Sequence, residues 1–303
     1  MASEPGIFVA SRVRPGAGID GFILGERLNA GGCGYVFAAT PPADRDPGFP
    51  VVVKIAAVGP GEPVAGIVGF EMELMIHPAL SGPHLPRLVA SGDLATIPYM
   101  AMERVEGRGL VELVDGTPLD AGEVARIGAA VADSLQSLHS QGAVHHDLKP
   151  ENVILRPSGE AVLLDLGCAH HTRYPDLLAE ETRFASGSAP YVSPEQLQGR
   201  RGDPRSDLFA LGAILYEAAT GEPPFGVPLT LAGQRDRLWR IPVSPRARNP
   251  RVPAWLQEVI LRCLETDPEA RYQSAAHVAF DLRNPEQVAL TERAVRSLSL
   301  THI

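Results

Sequence analysis

The chain has 303 residues, 45% of them hydrophobic and 21% charged, which excludes a globally disordered protein and leaves room for one large domain or two smaller ones. Acidic residues outnumber lysine and arginine by 36 to 27, and the formal net charge of −9 excludes a general attraction for nucleic acid or anionic membranes. The few cysteines, Cys33, Cys168 and Cys263, lack metal-ligand spacing, which favours a reducing, cytoplasmic setting over a disulfide framework.

The first third of the chain is predicted to be rich in β-strands, because apolar residues alternate over 22–39 and residues 51–55 form a β-branched run. Residues 1–19 are rich in glycine and proline and are predicted to be a flexible leader. We predict a hairpin over 22–39, with glycines at its turn, and further strands at 51–55 and 98–105. A helical pattern at 66–80 separates these last two strands.

The remainder of the chain is predicted to be mostly helical. Apolar side chains recur at three- and four-residue steps over 121–139, which is typical of a helix that faces the core. No apolar run reaches the roughly 18 residues of a membrane span, so we expect no membrane segment in this chain. The other predicted elements are short strands at 153–155 and 161–164, helices at 207–220, 254–264 and 274–283, and a tail at 284–303.

One stretch of the second half combines two carboxylates, an amide and a lysine. Residues 145–152 read His-His-Asp-Leu-Lys-Pro-Glu-Asn, and Asp165 opens a later Asp-Leu-Gly. Phosphoryl transfer requires a carboxylate at the attacking hydroxyl and oxygen ligands for Mg²⁺. Asp147 suits the first role, and Asn152 and Asp165 suit the second. Lys149 lies two residues beyond Asp147, so both can point at the same phosphate.

These residues resemble the catalytic loop and the Asp-Phe-Gly magnesium loop of the protein kinase family, with Leu166 in place of phenylalanine. The resemblance runs over about residues 20–283, and the composition is typical of bacterial, eukaryotic-like serine/threonine kinases. It implies a bilobal α+β fold, with a small β-rich N-lobe and one main helix at 20–104 and a larger, mostly helical C-lobe at 105–283. It also implies ATP with Mg²⁺ or Mn²⁺, and a protein substrate with serine or threonine acceptors.

The resemblance also implies where ATP binds. A Gly-rich loop would cover its phosphates, with Asn29 in place of the first glycine, and Lys54 would hold the α- and β-phosphates. Met102 would be the gatekeeper of the hinge. The residues expected to contact ATP are Leu28, Asn29, Gly31, Gly34, Val36, Lys54, Met102, Glu103, Val105 and Ile154.

Lys54 would need a glutamate partner on the predicted helix at 66–80, and two are available. We favour Glu73, because Ile76 then falls on the buried face, and Glu71 remains the alternative. Cys33 and Cys168 would flank the ATP site, either as a redox switch or simply as small residues tolerated at tight positions.

His146 stands where most regulated kinases carry an arginine that pairs with a phosphorylated activation segment. Histidine forms no permanent bidentate pair with phosphate. We therefore hypothesise that activity does not require phosphate on residues 168–188. If autophosphorylation occurs there, the candidate sites are Thr172, Thr182, Ser186 and Ser188.

The resemblance also implies two structural roles for charged residues. Asp207 would brace the catalytic loop, and Arg271 would form a buried pair with Glu195. The cluster of Arg200, Arg201 and Arg205 is predicted to be a solvated surface.

The alternatives to an active protein kinase are a nucleotide-binding pseudokinase, whose hallmark would be loss of the motif residues Lys54, Asp147, Asn152 or Asp165, and a small-molecule phosphotransferase.

Overall fold

The computed structural model describes residues 13–31, 34–57, 64–93, 97–181, 187–228 and 230–296. Within these ranges, an antiparallel sheet of six strands forms the first lobe, in the order β1-β2-β3-β4-β6-β5. Its main helix, α1 (Val64–Ile76), lies between β4 and β5 in the chain. The strands are β1 (Gly18–Ile19), β2 (Phe22–Gly31), β3 (Gly34–Thr40), β4 (Val51–Ile55), β5 (Leu88–Ser91) and β6 (Tyr99–Glu103).

Strand β4 shows how the sheet separates two apolar clusters. Successive side chains of a strand point to opposite faces. Val51, Val53 and Ile55 therefore share one cluster, which includes residues of β2 and β3. Val52 packs in a second cluster with Phe70 of α1. The same alternation directs Lys54 towards the face that α1 covers.

The second lobe is mainly helical and is built around α2 and α5. Asp120 caps α2 by accepting a hydrogen bond from the Glu123 amide at 2.9 Å. A Cβ at Gly128 would lie 2.6 Å from Leu215, so glycine allows α2 and α5 to pack closely. The helices are α2 (Ala121–Ser140), α3 (Leu177–Glu181), α4 (Pro194–Leu197), α5 (Arg205–Thr220), α6 (Leu231–Arg235), α7 (Pro245–Arg248), α8 (Ala254–Cys263), α9 (Ala275–Arg283) and α10 (Glu292–Val295).

Short strands lie at the junction of the two lobes, where they carry the loops of the predicted catalytic motifs. β9 pairs with both β7 and β10, and β11 pairs with β8, all antiparallel. None of the helices in the described ranges has the length and apolar character needed to cross a membrane. The strands are β7 (Arg108–Gly109), β8 (Ala143–Val144), β9 (Val153–Leu155), β10 (Ala161–Leu163) and β11 (His170–His171).

The end of the predicted leader belongs to the sheet. Gly18–Ile19 pairs with β2, and the Ile19 side chain is buried. The connecting residues Asp20 and Gly21 have φ of +46° and +84°, as a two-residue hairpin turn requires. The Asp-Gly pair was a readable signal, but the surrounding glycine- and proline-rich composition concealed it.

The predicted tail also contains structure, because α10 packs on α8. The Glu258 carboxylate accepts hydrogen bonds from the amides of Thr291 and Ala294 at 2.9 and 3.1 Å. Ala294 is buried. Thr291 is a local N-cap that accepts the Arg293 amide at 3.3 Å. A helix of only four residues has no apolar periodicity, however, which is why this element was missed.

The predicted arginine surface cluster is only partly a solvated surface. Arg200 is exposed, but Arg201 forms an ion pair with Asp176 at 2.7 Å. Arg205 pairs with Asp203 at 2.9 Å and with Glu269 at 2.8 Å. Two of the three guanidinium groups are therefore structural.

The predicted pair of Arg271 and Glu195 is buried and bidentate, with N–O distances of 2.7 and 2.8 Å. Ser206 donates a further hydrogen bond to the Glu195 carboxylate at 2.7 Å. Burial raises the pKa of this carboxyl, but the bonds and charge of Arg271 outweigh it, so that the pKa is lowered. The pair ties the start of α4 to the loop before α9.

Replacing Arg271 with methionine is expected to lower the free energy of unfolding by about 3–5 kcal/mol, because Glu195 would remain as an unpaired buried charge. Urea denaturation measures this change. The matched control is Arg283→Met, which removes an ion pair with Asp133 whose side chains are 52% and 40% exposed. The control should lose only about 0–1 kcal/mol. Equal losses in the two variants would show that burial does not set the contribution of the Arg271–Glu195 pair.

Candidate active site

A cleft of about 930 Å³ lies between the sheet lobe and the helical lobe. Most of the residues predicted from the sequence line this cleft together. Gly31 lies beside it, paired with Gly34 across the β2–β3 hairpin, and Cys33 lies outside the described residues. The predicted residues in the lining are Leu28, Asn29, Gly34, Val36, Lys54, Glu73, Met102, Glu103, Val105, Asp147, Lys149, Asn152, Ile154 and Asp165.

Gly34 allows the roof of the cleft to approach β4. Its φ is +142°, and a Cβ on this residue would lie 2.1 Å from the carbonyl oxygen of Ile55. Any side chain would therefore push the hairpin away from the strand that carries Lys54. Glycine at this position keeps backbone amides close to the mouth of the cleft.

Lys54 is the cation at the centre of the cleft. Its Nζ lies 2.5 Å from Glu73 Oε2 and 2.9 Å from Asp165 Oδ1. Burial would lower the pKa of Lys54, but the two carboxylates outweigh it and raise the pKa above its usual value. Of the two candidate glutamates, Glu73 is therefore the one that contacts Lys54, whereas Glu71 lines a separate cavity.

Asp165 adopts a left-handed backbone conformation, with φ of +62°, which is uncommon outside glycine but better tolerated by aspartate. Its Oδ1 accepts a hydrogen bond from the Gly167 amide at 3.2 Å. Burial raises the pKa of this carboxyl, but the charge and hydrogen bond of Lys54 outweigh it and lower the pKa to about 2. Asp165 is thus an anion at neutral pH and faces the cleft.

Asp147 lies in a second polar network on the floor of the cleft. Its Oδ1 accepts a hydrogen bond from Ser188 Oγ at 2.9 Å, and its Oδ2 lies 2.9 Å from Lys149 Nζ. Lys149 also donates to Ser188 Oγ at 2.9 Å. A serine hydroxyl is therefore held between the carboxylate and the ammonium group. The sequence marked Ser188 as a candidate phosphorylation site and did not predict these contacts.

Asn152 lies beside Asp147 and is oriented by it. Its Nδ2 donates to the Asp147 carbonyl oxygen at 2.9 Å. This bond leaves Asn152 Oδ1 as the oxygen able to bind a cation. Asn152 and Asp165 both line the cleft, so that an amide and a carboxylate are available there for a divalent ion.

Asp207, at the start of α5, holds the backbone of the loop at 145–152. Its carboxylate accepts the backbone amides of His145 and His146, each at 2.9 Å. His139 Nε2 lies 2.8 Å from the same carboxylate. Burial raises the pKa of Asp207, but the hydrogen bond from His139 leads the effects that lower it to about 2.

His139 and His77 are positions whose roles the sequence reasoning missed. His139 lies in the last turn of the predicted helix, and nothing local marks it as a partner of Asp207. His77 lines the cleft and is buried. Its Nε2 lies 2.8 Å from the Pro86 carbonyl oxygen, to which it can donate a hydrogen bond.

His146 is buried and has φ of +63°. Its Nε2 accepts a hydrogen bond from the Gly202 amide at 2.9 Å. Burial lowers the pKa of this imidazole to about 4, and the charge of Arg201 lowers it while that of Asp207 opposes the shift. His146 is therefore neutral at pH 7.

The residues of the cleft fit ATP with a divalent cation. Two ammonium groups, Lys54 and Lys149, are available for phosphate oxygens, and apolar side chains such as Val36 and Ile154 line the same space. Asn152 and Asp165 supply the oxygen ligands that a hard cation prefers. The fold and the site together define a domain of the protein kinase type.

Comparison with known sequences agrees with this architecture. A family profile described as "Protein kinase domain" matches residues 22–281. The chain belongs to the protein kinase family, whose members generally use ATP and a divalent metal. The family and the bilobal α+β fold predicted from the sequence are confirmed.

Its relatives include bacterial proteins. A probable serine/threonine-protein kinase of Corynebacterium efficiens is 32% identical over 294 residues, which cover 94% of this chain and 43% of the relative. The serine/threonine-protein kinase PknB of Mycobacterium tuberculosis is 34% identical over 277 residues, which cover 87% and 42% respectively. The chain therefore spans less than half the length of these relatives.

The buried, neutral His146 is expected to make the protein less stable in acid. An unfolded histidine binds a proton near pH 6.5, but folded His146 does so only near pH 4. Between these values the unfolded state binds more protons, so the free energy of unfolding falls as the pH falls. In His146→Gln, the fall in the free energy of unfolding between pH 7 and pH 4 should therefore be smaller than in the parent by about 2–4 kcal/mol.

Denaturation curves between pH 7 and 4 measure this slope, which is independent of any constant cost of the substitution. The matched control is His277→Gln at an exposed position of α9, which should keep the slope of the parent. If His146→Gln also keeps the parental slope, folded His146 takes up its proton like an unfolded histidine and the expectation is wrong.

Proposed function

We propose that this chain transfers the γ-phosphate of ATP to serine or threonine hydroxyls of proteins. The observation that carries the proposal is the convergence of Lys54, Asp147, Asn152 and Asp165 on one cleft. These residues supply the parts that phosphoryl transfer needs, namely phosphate-binding cations, an orienting carboxylate and metal ligands. The names of the bacterial relatives support serine and threonine as the acceptors.

Asp147 would orient the acceptor hydroxyl and accept its proton. The hydrogen bond from Ser188 Oγ at 2.9 Å indicates that this carboxylate can hold a hydroxyl in the cleft. Lys149, whose Nζ lies 2.9 Å from Asp147, would place a positive charge beside the transferred phosphate. Holding the reactants in this geometry would provide much of the rate enhancement.

Lys54 would bind the α- and β-phosphates, and Glu73 would hold it in place. Asn152 and Asp165 would ligate Mg²⁺ or Mn²⁺, which when bound neutralises charge on the phosphates. At the hinge, Met102, Glu103 and Val105 line the cleft where adenine would lie. The Glu103 side chain itself is engaged by Arg156 at 2.7 Å, so only its backbone would be offered to the base.

We further propose that transfer does not require phosphate on residues 168–188. The support is His146, which is buried, accepts the Gly202 amide and has a pKa lowered by burial to about 4. Such an imidazole offers no positive charge at pH 7 to a phosphorylated segment. Of the candidate phosphorylation sites, Thr172 and Ser188 are described, while Thr182 and Ser186 lie outside the described residues.

Phosphate incorporation from labelled ATP tests the proposed function. The parent with Mg²⁺ should label a generic acceptor protein on serine or threonine, and Asp147→Asn should lower the rate by about 10²–10⁴-fold, because the carboxylate at the reacting hydroxyl is lost. Asp133→Asn on the exposed face of α2 is the control and should keep the parental rate.

Absence of labelling despite nucleotide binding would contradict the proposal and indicate a pseudokinase. Labelling of small alcohols but not of proteins would indicate a small-molecule phosphotransferase.

A variant with alanine at Thr172, Thr182 and Ser186 together should keep the parental rate of phosphate transfer. Loss of its activity would contradict the proposal that transfer does not require phosphate on residues 168–188.

A further inference from the structure

Arg201 lies in the loop between α4 and α5, and its side chain is only 10% exposed. Its Nε donates to Asp176 Oδ2 at 2.7 Å. Its Nη2 donates to the Cys168 carbonyl oxygen at 2.8 Å and lies 3.4 Å from that of Ala169. One guanidinium therefore joins both ends of residues 168–178, here called the anchored segment, which follow directly after the Asp-Leu-Gly loop.

The carboxylate of Asp176 has a second contact within the same region of the chain. Its Oδ1 accepts a hydrogen bond from the Ala179 amide at 3.3 Å, in the first turn of α3. Leu178 of α3 is buried in the core of the helical lobe. Arg201 thus holds, through Asp176, the position at which α3 begins.

The anchored segment and its neighbours pack against α1, the helix that carries Glu73. α3 contacts α1, and Gly69 of α1 lies so close to the Asp-Leu-Gly loop that a Cβ there would be 2.9 Å from the Gly167 carbonyl oxygen. Both ends of this region therefore touch the helix that presents Glu73 to Lys54. A shift of the segment would be transmitted to the metal-binding and lysine-binding side chains.

Arg201 supplies the positive charge beside the anchored segment, because the histidines near it are neutral. The charged and titratable groups near it are Asp176, His146 and His170. Burial is the main effect that lowers the pKa values of the two histidines, and the charge of Arg201 lowers both further. His170 packs over Gly202, where a Cβ would lie 3.1 Å from the ring. Neutral histidines and a paired guanidinium therefore occupy the region beside the anchored segment.

We propose that Arg201 is a positioning residue, whose ion pair with Asp176 holds the anchored segment in the conformation that catalysis requires and so replaces an activating phosphate. The inference rests on the proposed kinase function and identifies how that site is kept assembled. The bonds of Arg201 described above run to the anchored segment and not to the lining of the cleft. Its effect on catalysis is exerted through the anchored segment, α3 and α1.

Steady-state kinetics of Arg201→Met test this proposal. We expect kcat to fall by about 10–100-fold, because a small displacement of the positioned groups has effects of this size. The KM for ATP should change less than kcat, because the residues that contact ATP are all still present and only their alignment for transfer is altered. The matched control is Arg200→Met, because Arg200 is exposed and its side chain donates to the exposed Gln198; it should keep the parental kcat.

Further variants separate positioning from general stability. Arg201→Lys, which can still pair with Asp176, should recover about tenfold of the activity lost in Arg201→Met. Asp176→Asn should lower kcat as Arg201→Met does. The effects of the two substitutions should be far from additive in the double variant, because both remove the same ion pair. Hydrogen exchange at 168–178 should quicken in Arg201→Met and not in Arg200→Met.

Each other outcome would overturn the inference. If Arg201→Met matches Arg200→Met in kcat and in hydrogen exchange while the parent labels its acceptor, positioning by Arg201 is wrong and the proposed function stands. If kcat falls only in proportion to the fraction unfolded, as measured by thermal denaturation, Arg201 is merely structural. If the parent transfers no phosphate, or if Asp147→Asn transfers it as fast as the parent does, the proposed function fails and this inference fails with it.

Discussion

The ammonium group of Lys54, buried between the carboxylates of Glu73 and Asp165, connects three parts of the fold. The distances of 2.5 and 2.9 Å join strand β4, helix α1 and the loop at the floor of the cleft. Removing charges from water costs several kcal/mol per ion, and this cost is offset only when partners are close and well placed. Pairing these charges therefore favours the observed placement of β4, α1 and the Asp165 loop around the cleft.

A second buried carboxylate, that of Asp207, holds the loop at 145–152 in place. Asp207 accepts the amides of His145 and His146 and lies 2.8 Å from His139, so the left-handed conformation of His146 is maintained by its surroundings. His146 in turn accepts the Gly202 amide, next to Arg201. The loop that carries Asp147 and the segment that follows Asp165 are thus held by fixed groups of the helical lobe.

Much of this arrangement was predictable, and the remainder has a common physical cause. The β-branched run at 51–55 predicted strand β4, and the spacing of apolar residues predicted the long helices of the second lobe. The motif resemblance indicated which residues share the cleft. Several features that were missed involve partners distant in sequence: the Ala294 amide of α10 donates to Glu258, and Arg201 is paired with Asp176. A composition rich in glycine and proline concealed β1, although the Asp-Gly turn was readable.

Whether the site is assembled without phosphate is tested best by the time course of phosphate transfer after a phosphatase has removed all phosphate from the chain. Mass spectrometry establishes the starting state, and labelled ATP with Mg²⁺ and an acceptor protein starts the reaction. Because the charged groups of the cleft are already paired and placed, we predict a linear time course from the first turnover. A lag that disappears after preincubation with ATP would show that the site must first be assembled by phosphorylation, and would contradict a cleft held ready by Lys54 and its partners.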